Sequence, residues 1–109
     1  VITRVEVETG SKPLTIISSD LNHYAAEKEN RRLDMLALSA FCTGNPTALY
    51  GTCLKNKISM CGVIPASAVM QALITKAGPI YPELVHYCNS ADAGADPAKV
   101  VGYAGALIP

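Results

Sequence analysis

The chain has 109 residues, half of them hydrophobic and 17% charged, which is enough apolar material for one domain with a core and too little charge for a disordered tail. Nine basic residues are matched by nine acidic ones, so the formal net charge is zero. That balance argues against nucleic acid as a partner, because phosphate binding draws on a basic excess; nor does the overall charge encode attraction to an anionic bilayer.

Residues 2–8 alternate, with Thr3, Val5 and Val7 on one face and Arg4, Glu6 and Glu8 on the other, and predict a half-buried strand. Thr9-Gly10-Ser11-Lys12-Pro13 is turn chemistry. Leu14 to Ile17 reads as a second short strand or an extended lead into a helix. Ser18, Ser19 and Asp20 offer three candidate N-caps for a helix from Leu21 to Phe41, whose apolar residues include Tyr24, Leu33, Leu36 and Ala40. Its middle, Glu27 to Arg32, reads as a solvated face, with Glu27 placed four residues before Arg31 for an ion pair. Gly44-Asn45-Pro46 stops that helix.

Two apolar runs, 47–54 and 58–64, flank Lys55-Asn56-Lys57 and predict a hairpin. Pro65 suits a first helical position, and Val69, Met70, Leu73, Ile74 and Ala77 form a helical stripe. Gly78-Pro79 breaks it, and 83–89 reads as a further helical piece. A small-residue loop at 91–97 leads to a final β-like run, 99–108. Gly102 and Gly105 within that run imply a bulge or a close approach by another part of the chain. The order strand, helix, strand, strand, helix, strand predicts an α+β fold. Its expected form is a split β-α-β (ferredoxin-like) sandwich over a single domain, 1–109, with helices on one face of an antiparallel sheet.

Cys42, Cys53, Cys61 and Cys88 are an even set without a C-x-x-C pair, which disfavours a zinc or redox motif and favours two disulfides in a secreted chain. A first residue that is valine reads as a leader removed, which fits secretion, or as a fragment of a longer chain. All three pairings are open; the predicted layout favours Cys42–Cys53 and Cys61–Cys88. No apolar run reaches the roughly 20 residues that span a bilayer.

His23 and His86 are the only histidines, and a small secreted ribonuclease using both for acid–base chemistry is one reading. No nucleophile elbow, Walker loop or dinucleotide fingerprint occurs. Asp92 and Asp96 are too few for a calcium cage. No catalytic residue, metal or cofactor is therefore assigned. Lys28, Arg31 and Arg32 form the densest basic cluster and the candidate partner surface, although Glu27, Glu29 and Asp34 interleave it.

Cysteine placement also resembles that of the small secreted killer toxins encoded by viruses of smut fungi and of killer-toxin-like effectors. The similarity lies in Ala40-Phe41-Cys42 closing a helix, Tyr50-Gly51-Thr52-Cys53 in the following element and His86-Tyr87-Cys88 closing a second helix, over about residues 20–90. The resemblance implies a secreted, non-enzymatic toxin or effector that binds a protein or membrane-surface target, with assembly into an oligomer or with a second subunit. The remaining alternative is an intracellular interaction or regulatory module with reduced cysteines.

Overall fold

A computed structural model describes residues 10, 11 and 13–109, so the strand predicted at 2–8 lies outside the described residues. Three helices and a three-stranded antiparallel sheet make up an α+β fold. In chain order they are β1 (His23–Ala25), α1 (Glu27–Cys42), α2 (Pro46–Lys55), α3 (Val63–Ala77), β2 (Glu83–Asn89), a 3-10 turn (Ser90–Ala93) and β3 (Val100–Leu107). The sheet order is β1-β3-β2. β3 pairs with β1 through Val101 opposite His23, and with β2 from Leu107 opposite Glu83 to Gly102 opposite Asn89.

Residues 13–22 carry no regular secondary structure, so 14–17 is neither a strand nor the lead into a helix. Nor do they cap a helix. Leu21 N–H donates to Gly102 O at 2.9 Å and Gly102 N–H to Asn22 O at 3.1 Å, which ties the segment to β3. The helix therefore starts later than the run of Ser18, Ser19 and Asp20 predicts. α1 opens at Glu27 without a side-chain cap, with Glu27 and Glu29 in its first turn, where acids complement the helix dipole.

The hairpin predicted at 47–64 is absent, and the reason is local. The Asn45 side chain accepts from Thr47 N and Ala48 N, and Pro46 occupies the first turn. The same Asn-Pro that ends one helix thus starts the next, and 46–55 is helical. Gly44 makes the junction possible: it sits at φ 73°, and a Cβ there would strike the Ile80 carbonyl. α3 starts at Val63, two residues before Pro65. The helical piece expected at 83–89 is strand instead, because its backbone supplies partners for β3.

The chain order among the described residues is thus β-α-α-α-β-β, not the alternation of a split β-α-β sandwich. Leu49 and Cys53 of α2, Ala37 of α1, Ala66 and Met70 of α3, and Ile58 form the buried apolar cluster, with Leu33, Leu36, Phe41 and Val63 packed around it. The helical stripe predicted for α3 supplies Met70, which is fully buried. Among the described residues, no helix is long and apolar enough to cross a membrane.

All four cysteines are free, so neither Cys42–Cys53 nor Cys61–Cys88 forms. Cys53 faces the core as a small hydrophobe, and burial pushes its thiol pKa up, while Cys42 is exposed at the end of α1. The stabilisation expected from crosslinks falls instead to packing and to buried hydrogen bonds.

Candidate functional site

The extended segment 19–23 and the turn 59–62, which leads into α3, run beside each other. The Ser19 hydroxyl accepts from Gly62 N–H at 2.8 Å. Gly62 has no space for a side chain, because a Cβ would collide with Ser19. Asp20 N–H reaches Cys61 Sγ at 3.2 Å. His23 N–H donates to Ser59 Oγ at 2.9 Å, and Asn22 Oδ1 accepts from Ser59 N–H at 2.9 Å and from the Ser59 hydroxyl at 3.2 Å.

This crossing brings Asp20, His23 and Cys61 together, with one ligand atom of each within 4.8 Å of the others. His23 Nε2 lies 3.4 Å from Asp20 Oδ2. The other ring nitrogen, Nδ1, is 2.8 Å from the Ser59 carbonyl oxygen. A carbonyl can only accept, so Nδ1 carries a proton and donates to it, and Nε2 is the ring nitrogen turned toward Asp20. The three groups are partly or fully exposed. Tyr24, next in the chain, is held at φ 68°, an uncommon conformation for an aromatic residue, and its ring meets His23 edge-on at 5.6 Å.

The set mixes a sulfur, an imidazole nitrogen and a carboxylate oxygen, which suits zinc, copper or iron better than magnesium or calcium. Donors sharing one tetrahedral zinc sit roughly 3.5 Å apart, given metal–ligand bonds of about 2.0–2.3 Å. The His23–Asp20 spacing already matches that, and Cys61 needs only a short approach. A histidine ligand that gives its second N–H to a backbone carbonyl is the usual supporting arrangement.

Beneath this cluster lies a buried polar network. Asn22, Asn30 and Asp34 are each at most 4% exposed. Asn22 N–H donates to Asp34 Oδ1 at 2.7 Å, and Asn22 Nδ2 donates to Asn30 Oδ1 at 2.7 Å. Asn30 Nδ2 donates to both Asn22 O and Asp34 Oδ2 at 3.1 Å, and the Tyr87 hydroxyl donates to Asp34 Oδ2 at 2.6 Å. Burial pushes the Asp34 carboxyl above the usual carboxylate range, with the bonds from Tyr87, Asn22 and Asn30 opposing it. Burial and the bond to Asp34 likewise push the Tyr87 hydroxyl upward. Gly102 carries the close approach its position in the strand implied: a Cβ there would occupy the site of the Asp34 carboxylate. Nothing lies near Gly105.

The two histidines do not share a site. His86 pairs with Gly105 on one side of β3 and His23 with Val101 on the other. Strand spacing of about 4.8 Å and a rise of about 3.4 Å per residue put them roughly 16 Å apart. The basic cluster lies on α1. Arg31 pairs with Glu27 at 2.9 Å, as the spacing predicted, and Arg32 with Glu29 at 2.6 Å; Lys28 is exposed. Arg31 also lies over the Tyr87 ring, 5.1 Å from its centroid. These pairs hold Glu27 and Glu29 below the usual glutamate range.

The sequence reading considered His23 and Cys61 separately and took Asp20 for a helix cap. Asp20 and Cys61 are 41 positions apart, so no local motif marks the cluster. Asn30 and Asp34, read as part of a solvated face, are buried. Three polar residues at positions 22, 30 and 34, near a strand-borne glycine, were the available signal.

Residues 1–107 match the family described as Memo-like protein. MEMO1 family proteins are similar over nearly the whole chain. One from Aeropyrum pernix is 37% identical over 92% of this chain and 35% of its own length. One from Archaeoglobus fulgidus is 38% identical over 98% of this chain and 40% of its own length, and one from Aquifex aeolicus is 34% identical over 94% and 38%. The chain thus spans well under half the length of these relatives. The matches overturn the killer-toxin resemblance, whose cysteine positions prove to be free thiols on differently ordered elements. The reading as a secreted fungal toxin or effector falls with it, because paired cysteines and that resemblance were its basis. The chain belongs to the Memo-like protein family.

Proposed function

We propose that the chain carries part of a transition-metal centre, with Asp20, His23 and Cys61 as its ligands. The observation that supports this most directly is the convergence of three different donor types within 4.8 Å, with the histidine tautomer set by a backbone carbonyl. Three protein ligands at an accessible position leave room for water or substrate, the arrangement of catalytic rather than structural zinc sites. A metal there would act as a Lewis acid toward a bound oxygen. The chain's own residues supply the anchoring: Asp20 and His23 from the extended segment, Cys61 from the turn before α3. Ser59 O orients the imidazole. The MEMO1 family relatives extend well beyond the matched region, so further ligands and the substrate pocket are expected from sequence outside it.

Cobalt(II) titration tests this reading. Binding is expected to produce a sulfur-to-cobalt absorption band that disappears in Cys61→Ser and weakens strongly in His23→Ala and Asp20→Ala. Absence of any band, or a band indifferent to Cys61→Ser, would sink it.

A second reading is an interaction module with reduced cysteines, acting by binding rather than by chemistry. The four free thiols support it, as do exposed Leu14, Ile16 and Leu107 lining an apolar cleft of about 590 Å³.

A further inference from the structure

We infer that Asn22 is a positioning residue for the Asp20–His23–Cys61 centre, holding the Ser59 turn against the extended segment so that Ser59 O accepts from His23 Nδ1–H and Nε2 faces Asp20. The inference rests on the proposed metal reading for its purpose, but its geometry stands independently. Asn22 is only 4% exposed, and each polar group of its side chain is engaged. Oδ1 accepts from Ser59 N–H at 2.9 Å and from the Ser59 hydroxyl at 3.2 Å, and Nδ2 donates to Asn30 Oδ1 at 2.7 Å. Its backbone is fixed as tightly, by Asp34 Oδ1, by Asn30 Nδ2 and by Gly102 N–H.

Asn22 thus connects three bodies. One is α1, through Asn30 and Asp34. The second is β3, through Gly102. The third is the turn at 59–61, which no strand ladder holds. Three further links join the turn to the segment around Asn22, from His23 N–H to Ser59 Oγ, from Asp20 N–H to Cys61 Sγ and from Gly62 N–H to the Ser19 hydroxyl. They are chain neighbours of Asn22 and depend on the same register. Without the Asn22 carboxamide, Ser59 N–H loses its acceptor and the Ser59 end of the turn is held less firmly. A shift of the Ser59 carbonyl releases Nδ1, and an unconstrained imidazole prefers its proton on Nε2. Cys61, two residues further on, moves with the turn. No chemistry is assigned to Asn22 itself, since its polar atoms are spent on Ser59 and Asn30.

The experiment uses the full chain as wild type, Asn22→Ala, Ser59→Ala, Ser59→Thr and Met70→Ala. Nitrogen NMR of His23 at alkaline pH reads the tautomer, and cobalt(II) titration reads affinity. Expected in Asn22→Ala are a move of His23 from the Nδ1–H toward the Nε2–H form and a 10–100-fold loss of cobalt affinity, the range typical for groups that support a ligand. Ser59→Ala should shift both readings in the same direction by less, and Ser59→Thr should restore them. Met70→Ala should lower the melting temperature while leaving tautomer and affinity unchanged, because it only loosens the core. An unchanged tautomer and affinity in folded Asn22→Ala overturns the inference. If Asn22→Ala fails to fold, Ser59→Ala decides by the same two readings. A wild-type chain that binds no cobalt but shows the tautomer shift removes the metal reading and leaves the positioning role intact.

Discussion

α1 buries both of its halves, but by opposite chemistry. Toward its C-terminus Ala37, Leu36 and Phe41 join Leu49, Cys53 and Met70 in a dry cluster that needs only volume and shape. Toward its N-terminus Asn30 and Asp34, both without solvent exposure, meet Asn22 and Tyr87 through directed hydrogen bonds, with Gly102 close against the Asp34 carboxylate. The apolar half obtains its stability from area removed from water, and alternatives of similar volume fill the same space. The polar half gains little net energy per bond, yet a missing partner leaves a buried donor or acceptor at full desolvation cost. The first half supplies stability; the second fixes one geometry, directly beneath the candidate centre.

Substitutions that create the same defect in both halves separate these roles. Leu49→Ala, a truncation in the dry cluster, is expected to cost about 3 kcal/mol, within the usual range for a buried leucine, whereas Leu49→Met should cost less than about 1.5 kcal/mol. Asn30→Leu should show the reverse tolerance: branched in the same way as the residue it replaces, it is expected to cost about 3 kcal/mol, because Asn22 Nδ2 loses its partner and Asn22 O keeps only Gly102 N–H. Denaturant unfolding measures all three. If Asn30→Leu proves neutral, the distinction between the two halves fails.

pH gives a smaller and signed effect. Burial raises the Asp34 carboxyl above its ordinary value of 3.8. Between the ordinary and the raised values the folded chain keeps a proton that the unfolded chain has lost. Stability attributable to Asp34 is therefore full at acid pH and declines as pH rises through the raised value. Glu27 and Glu29, held low mainly by Arg31 and Arg32, act in the opposite sense: their contribution is present above the ordinary glutamate value and is lost as pH falls through the lowered one. Thermal melts against pH should accordingly lose the Asp34 decline in Asp34→Asn while keeping the acid-side loss. The smallest effect belongs to the helix surface. Arg32→Ala, which breaks a pair exposed on both sides, is expected to leave the melting temperature unchanged in differential scanning calorimetry.

The same division explains what could be read in advance. Periodicity exposed the apolar stripe of α3, the helical character of 27–41 and the final strand, because each depends on a repeat of side-chain type. Asn45-Pro46 was legible as a stop but equally encodes a start, and the β-like composition of 47–54 hid a helix that its cap enforces. The span 83–89 carries no strong period, and only the pairing demand of β3 makes it a strand. Cysteine count suggested crosslinks; a buried Cys53 is chemically a core residue, and count alone does not distinguish the two. Nothing local could reveal the Asp20–His23–Cys61 cluster, which exists because two distant segments cross. Asn30 and Asp34 look like surface residues until Gly102 leaves space for a carboxylate.

Tyr87 turns that buried carboxylate into something an optical instrument can follow. The chain has no tryptophan and five tyrosines, so its near-ultraviolet spectrum is a phenol spectrum. The Tyr87 hydroxyl donates to Asp34, and burial together with that bond raises its pKa, with Arg31 over the ring opposing the rise. Lifting the helix away would remove that burial and that bond and bring phenolate absorbance from this ring to lower pH, an intrinsic signal for opening of the ground under the candidate centre, with no added dye or label.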